Sequence, residues 1–220
     1  MATSNKQRVG ILIILVALVV GTLGSFAVLI LSSKNSEADS KAYQEAEKQF
    51  EKNQEEYQAK VNAQAKDLSS KYYPIFQQYE SRPSSFDKDG IEEIRKEDLL
   101  IGEGSEIDDQ TKFSAYYIGW NSDGKIFDQS IQDGALITPI QVDGLETASL
   151  IEGWKEGIKG MKIGGVRELT IPSDLAYGEA GSGDDIPPNS PLKFVIMAVE
   201  QPAVIEQPEI PEELLEGISL

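Results

Sequence analysis

Two stretches decide the fold of this chain: I-F-D-Q-S at Ile126–Ser130 and L-I-E-G-W at Leu150–Trp154. The second lies in a run with apolar residues at helical spacing, which predicts a helix over Ala148–Lys159. Short runs rich in β-branched and aromatic residues predict strands at Lys112–Trp120, Val166–Ile171 and Leu192–Val199. One short helix among several short strands is typical of an α+β fold, in which a small antiparallel sheet wraps around that helix.

The composition excludes several classes of chemistry. The 220-residue chain contains no His and no Cys, which rules out Ser-His-Asp and Cys-His catalysis, thiolate metal sites and disulfides. A net charge of −17 argues against nucleic acid as a partner, because phosphate backbones are themselves negative. The sequence from Asn121 partly matches an EF-hand calcium loop, but the match fails at its twelfth position. An EF-hand needs a bidentate acidic side chain there, and this chain has Gln132. We therefore expect no metal, no cofactor and no nucleic-acid partner.

Seven short motifs follow one another along the second half of the chain. They are Y-x-G at Tyr117–Gly119, D-G-K-x-F-D at Asp123–Asp128, I-x-G-W-x-E-G at Ile151–Gly157, G-M-x-x-G at Gly160–Gly164, L-x-I-P at Leu169–Pro172, A-Y-G at Ala176–Gly178 and I-P-P-N at Ile186–Asn189. In this order they resemble the FKBP-type peptidyl-prolyl cis/trans isomerases over roughly residues 93–200. The resemblance implies a sheet wrapped around one helix and an activity that rotates X-Pro bonds. That chemistry needs no nucleophile, metal or cofactor, so it survives the exclusions above.

The resemblance also implies which residues form the site. Asp128 matches a buried carboxylate beside the substrate amide, and Tyr177 matches a hydroxyl donor on a long loop, so both are assigned to catalysis. The apolar pocket for the prolyl ring is assigned to Tyr117, Phe127, Leu150, Ile151, Trp154, Ile186 and Phe194. Each aromatic residue alone would indicate a core position. Their joint occurrence in the family's order favours a binding site.

The chain departs from the family pattern near this site. Ile131-Gln132-Asp133 stands where the family carries an Arg that pairs with the carboxylate, and Asp184-Asp185 makes the long loop acidic. Two functions follow from this comparison. The first is an isomerase that accelerates X-Pro rotation in proline-containing client chains during protein folding. The alternative is a non-catalytic chaperone or peptide-binding module that uses the same apolar cleft.

The N-terminal region carries an uncharged, mostly apolar run from Val9 to Leu31. A helix needs about 20 apolar residues to cross the hydrocarbon core, so this run predicts a transmembrane anchor. Lys6 and Arg8 precede the run, which places the N-terminus in the cytoplasm and the rest of the chain outside the cell membrane. A cleaved signal peptide is the alternative. Signal peptides have apolar regions of about 7–15 residues, and no small-x-small site directly follows this longer run.

Four segments follow from these patterns: a cytoplasmic tip and anchor over 1–35, a polar helical stalk over 36–83, the isomerase domain over 84–201 and a disordered acidic tail over 202–220. The tail is rich in Pro and Glu. The stalk helix is expected to end near Tyr72-Tyr73-Pro74 and to carry one thin apolar stripe. The stripe consists of Tyr43, Ala46, Phe50, Tyr57, Val61, Ala65, Leu68 and Tyr72. We interpret the stalk as a solvated spacer, and a dimerising coiled coil is the alternative.

The membrane prediction is tested by deletion. A chain that lacks residues Met1–Ser33 should fold and remain in the soluble fraction, because no later segment of the sequence is apolar enough to span a bilayer. The measurement is fractionation of both chains after a high-salt wash of the membranes. A deleted chain that stays with the washed membranes would mean that a second anchor exists.

Overall fold

A computed structural model describes residues 37–215 of the chain, and three α-helices, three short 3-10 helices and eight strands lie in this part. The helices are α1 (Glu37–Phe76), α2 (Glu152–Ile158) and α3 (Glu212–Leu215). The strands are β1 (Arg95–Leu100), β2 (Phe113–Trp120), β3 (Ile126–Gln129), β4 (Ile131–Gln132), β5 (Ala135–Leu136), β6 (Ile140–Val142), β7 (Val166–Ile171) and β8 (Leu192–Val199). The predicted anchor at residues 9–31 lies outside the described residues. Within them, no helix combines the length and the apolar character that crossing a membrane requires.

The main sheet is antiparallel, with the strand order β1-β7-β8-β2-β3. Strand β2 also pairs with β6, which lies on the same edge as β3 but at the other end of β2. Between β3 and β6 the chain leaves the sheet and forms the small β4–β5 hairpin. The predicted α+β architecture, an antiparallel sheet with one short helix against it, is confirmed.

Helix α2 packs on one face of this sheet, directly against β7. It begins at Glu152, later than the predicted start at Ala148, because Ile151 is extended with φ −61° and ψ 147°. Two glycines permit the close packing. A Cβ atom at Gly153 would lie 2.2 Å from Cγ2 of Ile171, and one at Gly157 would lie 2.4 Å from Cδ1 of Leu169. The G-W-x-E-G motif therefore places Trp154 against the sheet at a distance that larger residues would prevent.

The opposite face of the sheet is also buried. Successive side chains of a strand point to opposite faces, so Tyr116, Ile118 and Trp120 of β2 face away from α2. These residues form a second apolar cluster with Tyr72 and Phe76, from the last turns of α1. Burial raises the pKa of the Tyr116 phenol far above its usual value, so its hydroxyl stays neutral there.

The C-terminal part of α1 therefore differs from the predicted solvated spacer. The helix also continues through Pro74 to Phe76, although Tyr72-Tyr73-Pro74 was expected to end it. Pro inside a helix removes one backbone hydrogen bond. Burial of the Tyr72 and Phe76 side chains, on either side of Pro74, offsets this loss. Helical periodicity alone did not reveal what this apolar stripe packs against.

The described residues divide into two compact units, Ala65–Ala203 and a second unit made of 37–64 with 204–215. In the second unit, Phe50 and Leu214 are almost fully buried. A small pocket there is lined by Tyr57 and Lys60 of α1 and by Glu206 and Pro208 of the tail. The tail was expected to be disordered, whereas its residues 206–208 lie beside the helix and Glu212–Leu215 are helical.

Truncating Phe76 tests the role of α1 in the core. Phe76 is fully buried, so Phe76→Ala should lower the free energy of unfolding by about 3–5 kcal/mol. Ile75 lies next to it in the same helical turn and is 37% exposed, so Ile75→Ala should cost only about 0.5 kcal/mol. Denaturant unfolding of both variants gives the comparison. Equal, small losses would show that α1 contributes nothing to the sheet's stability.

Candidate active site

Three aromatic rings from three different elements meet on the α2 side of the sheet. Trp154 comes from α2, Tyr117 from β2 and Phe194 from β8. The indole lies 5.3 Å from the Tyr117 ring and 5.4 Å from the Phe194 ring, measured between centroids, and both pairs are edge-to-face. This geometry is the favourable one for aromatic quadrupoles. It holds the three rings as a rigid apolar wall.

A fourth ring, Phe127 of β3, extends the wall. It lies 5.5 Å from Phe194, again edge-to-face. The two rings meet over Gly119, where a Cβ atom would lie 2.6 Å from Cε1 of Phe194 and 2.8 Å from Cζ of Phe127. The glycine of the Y-x-G motif is therefore required by this close approach.

Asp128 stands at the edge of the aromatic wall and is half-buried. The Tyr117 hydroxyl donates to its carboxylate at 2.5 Å, and the backbone N–H of Gln129 donates at 3.0 Å. Ile131, the first residue of the Ile131-Gln132-Asp133 stretch that departs from the family pattern, is buried in the cluster on the other face of the sheet. The sequence comparison assigned Tyr117 only to the pocket wall, whereas its hydroxyl also holds the carboxylate in place.

Tyr177 and Ile186 lie on the long loop between β7 and β8. Its backbone bonds close the loop on itself: Ser182 N–H donates to Ile186 C=O at 2.8 Å, and Asn189 N–H donates to Gly178 C=O at 2.8 Å. The Ile186 side chain is 5% exposed and belongs to the same apolar cluster as Trp154. Tyr177 is 39% exposed, so its ring reaches solvent.

The structure brings all seven assigned pocket residues into one cluster. Trp154, Ile186 and Phe194 are buried in it, while four partly buried residues pack against it: Tyr117, Phe127, Leu150 and Ile151. Asp128 joins the group through the Tyr117 hydroxyl. The sequence analysis gave no role to Ser130, which is buried and accepts from the Tyr117 backbone N–H at 2.9 Å. The signal in the sequence was a Ser directly after the I-F-D-Q strand, because a polar side chain that becomes buried there needs a hydrogen-bond partner.

Comparison with known proteins identifies the domain that carries this cluster. Residues 104–199 match the family described as FKBP-type peptidyl-prolyl cis-trans isomerase. An FK506-binding protein of Neisseria meningitidis, strain Z2491, is 40% identical over 100 residues, which span 46% of this chain and 88% of that protein. The chain belongs to the FKBP-type peptidyl-prolyl cis-trans isomerases.

Other similar proteins differ in how much of their length this chain spans. A probable FK506-binding protein of Corynebacterium glutamicum is 38% identical, over 48% of this chain and 84% of that protein. FK506-binding protein 4 of Dictyostelium discoideum is 40% identical, but the chain spans only 28% of its length. A crystal structure of a peptidyl-prolyl cis-trans isomerase from Pseudomonas syringae matches with a TM-score of 0.42 and 32% sequence identity. The match covers 96% of that protein and 66% of this chain. Residues 65–103 precede the family match, although they belong to the same compact unit.

Gly119 gives a direct test of the aromatic geometry. Gly119→Ala should push Phe127 and Phe194 apart, and such overpacking costs about 1–3 kcal/mol of stability. The displaced rings should also lower kcat/KM for a proline peptide by about tenfold, equivalent to 1.4 kcal/mol. Thermal melting and the isomerase rate are measured on the same preparation. Unchanged values for both would show that the two rings do not depend on the glycine.

Proposed function

We propose that the aromatic wall around Trp154 is the surface on which this isomerase binds the prolyl ring and twists the X-Pro bond. The observation that carries the proposal is the edge-to-face group of Trp154, Tyr117, Phe194 and Phe127, with the Asp128 carboxylate at its edge. The compact, apolar pyrrolidine ring of proline fits an apolar wall, and the nearby carboxylate and hydroxyl are able to orient the amide.

Desolvation supplies most of the catalysis in this proposal. Resonance gives the amide C–N bond partial double-bond character and a rotational barrier of about 20 kcal/mol. The twisted transition state loses that resonance and is less charge-separated than the planar amide. An apolar surface therefore stabilises the twisted state relative to the planar one. Only such a difference between the two states accelerates the reaction.

The polar side chains of Asp128 and Tyr177 have a secondary role in the proposed catalysis. Asp128 is oriented by the Tyr117 hydroxyl and lies where it can polarise or align the substrate amide. In this proposal Tyr177, which is 39% exposed on the long loop, donates to a substrate carbonyl. No covalent step is involved, so neither residue is expected to be indispensable.

The proposed clients are proline-containing chains that fold outside the cell membrane. The support comes from the sequence: the uncharged run at residues 9–31 fits an anchor, and the positive charges before it fit a cytoplasmic N-terminus. In this proposal the isomerase domain faces the extracytoplasmic side, where exported polypeptides fold. Membership in an isomerase family supports the enzyme over a purely peptide-binding module.

Two conservative substitutions test the proposed mechanism. Asp128→Asn and Tyr177→Phe should each lower kcat/KM for a proline peptide by about tenfold, or 1.4 kcal/mol, with little change in melting temperature. Tyr116→Phe is the matched control, because its hydroxyl is buried on the opposite face of the sheet and has no hydrogen-bond partner among the described residues. Its kcat/KM should equal that of the parent chain.

The size of the loss separates two mechanisms. A loss greater than about a thousandfold in either variant, at an unchanged melting temperature, would indicate acid–base or covalent catalysis instead of desolvation. No loss in either variant would remove both residues from the site. Trp154→Leu, measured in parallel, then shows whether the aromatic wall itself is the binding surface.

A further inference from the structure

The long loop that carries Tyr177 and Ile186 is fastened to the β2–β3 hairpin at a buried point. Asn121, the first residue after β2, is only 5% exposed, and its side-chain Nδ2 donates to the backbone C=O of Asp185 at 3.0 Å. Asp185 directly precedes Ile186, whose side chain lies in the apolar cluster of the site. Asn121 therefore holds the loop immediately beside its apolar contact.

Asn121 uses both ends of its amide. While Nδ2 reaches the loop, Oδ1 accepts from the backbone N–H groups of Asp123 and Lys125, each at 3.1 Å. An Asn side chain supplies a donor and an acceptor together, whereas an ionised Asp accepts only. The same side chain thus shapes the hairpin turn and ties the loop to it.

A second contact to the loop is more exposed. Lys125 Nζ lies 2.5 Å from Oδ1 of Asp185, and the Lys125 side chain is 62% exposed. Ion pairs in water are worth about 0–1 kcal/mol, because solvent screens them and long side chains lose entropy. The part-buried bond from Asn121 is therefore expected to contribute more to the position of the loop than this exposed pair does.

The hairpin turn has a fixed position of its own. Phe86 N–H, from the segment that follows α1, donates to Ser122 C=O at 3.0 Å, and Ser85 pairs with Asp123 as a single antiparallel β-bridge. The turn is thereby also held by the segment that follows α1. Because the long loop is hydrogen-bonded to this turn, the position of the loop depends on the position of the β2–β3 hairpin.

We propose that Asn121 is a positioning residue that sets the affinity for substrate by holding the Tyr177–Asn189 loop over the aromatic wall. Without its bond, the loop keeps its internal Ser182–Ile186 and Gly178–Asn189 bonds but spends part of its time displaced. When only a fraction of the molecules has the loop in its binding position, the apparent affinity for substrate falls in proportion to that fraction. Bound substrate restores the position, so KM rises while kcat is retained. This inference rests on the proposed site.

The test uses two substitutions in the full 220-residue chain in detergent. Asn121→Asp keeps the acceptor for the turn and loses the donor to the loop. Asn121→Ser also keeps a short acceptor and adds no charge. Loss of one hydrogen bond of this kind should raise KM for a proline peptide by about five- to tenfold in both variants, with kcat within about twofold. Lys125→Met is the control, and its KM should stay within about twofold.

Hydrogen exchange shows whether the effect is local. The backbone N–H groups of Ser182 and Ile186 should exchange faster in both Asn121 variants, while exchange in β2 and β8 and the melting temperature stay as in the parent chain. Faster exchange throughout the sheet, with a lower melting temperature, would show that Asn121 only stabilises the fold and would overturn the proposal. An unchanged KM would overturn it as well.

Parallel assays separate this inference from the proposed function. If Tyr177→Phe and Trp154→Leu reduce kcat/KM and the Asn121 variants leave KM unchanged, only the positioning role is refuted. If Tyr177→Phe and Trp154→Leu have no effect on kcat/KM, the proposed site is wrong and the inference is refuted with it.

Discussion

The three inner strands of the main sheet, β7, β8 and β2, are buried on both faces, and the other elements of this domain are arranged to satisfy that requirement. Along β2, Phe113, Ala115 and Tyr117 face α2, whereas Tyr116, Ile118 and Trp120 face away from it. Apolar area removed from water stabilises the fold by about 25 cal/mol per Å², so neither face is left uncovered. Helix α2 covers one face, and the last turns of α1 cover the other. The aromatic wall lies on the face that α2 covers.

Ion pairs between charged side chains hold the segment that follows α1 against the sheet. Glu168 of β7 is 7% exposed and accepts from Arg82 at 2.6 Å and from Lys193 at 2.9 Å. A buried carboxylate requires such partners, because removing an unpaired charge from water is costly. The pairing directs the chain from α1 across one face of the sheet towards Ser85 and Phe86, where it meets the β2–β3 turn. Residues outside the family match thus contribute to the framework around the site.

The residues assigned to the candidate site lie together, as the sequence pattern predicted. The hydrogen bonds between distant residues around it were not predicted. Residues assigned from motifs, such as Trp154, Phe194 and Ile186, lie in one cluster because strand alternation and helical spacing place their side chains on one face. The bonds from Tyr117 to Asp128, from Asn121 to Asp185 and from Ser69 to the Leu136 N–H were not predicted. They join residues 11, 64 and 67 positions apart, and short-range periodicity contains no information on such pairs.

The sequence by itself determined the α+β class, the strand and helix that carry each aromatic residue, and the family, because these depend on local spacing and on short motifs. Tertiary structure alone decided that α1 ends as part of the core, since an apolar stripe does not specify the surface that it packs against. It also decided that Ile131 turns away from Asp128 and that Tyr117 supplies a hydrogen bond there. Which face a residue occupies and which distant group it meets depend on how the elements pack, and packing is a property of the whole chain.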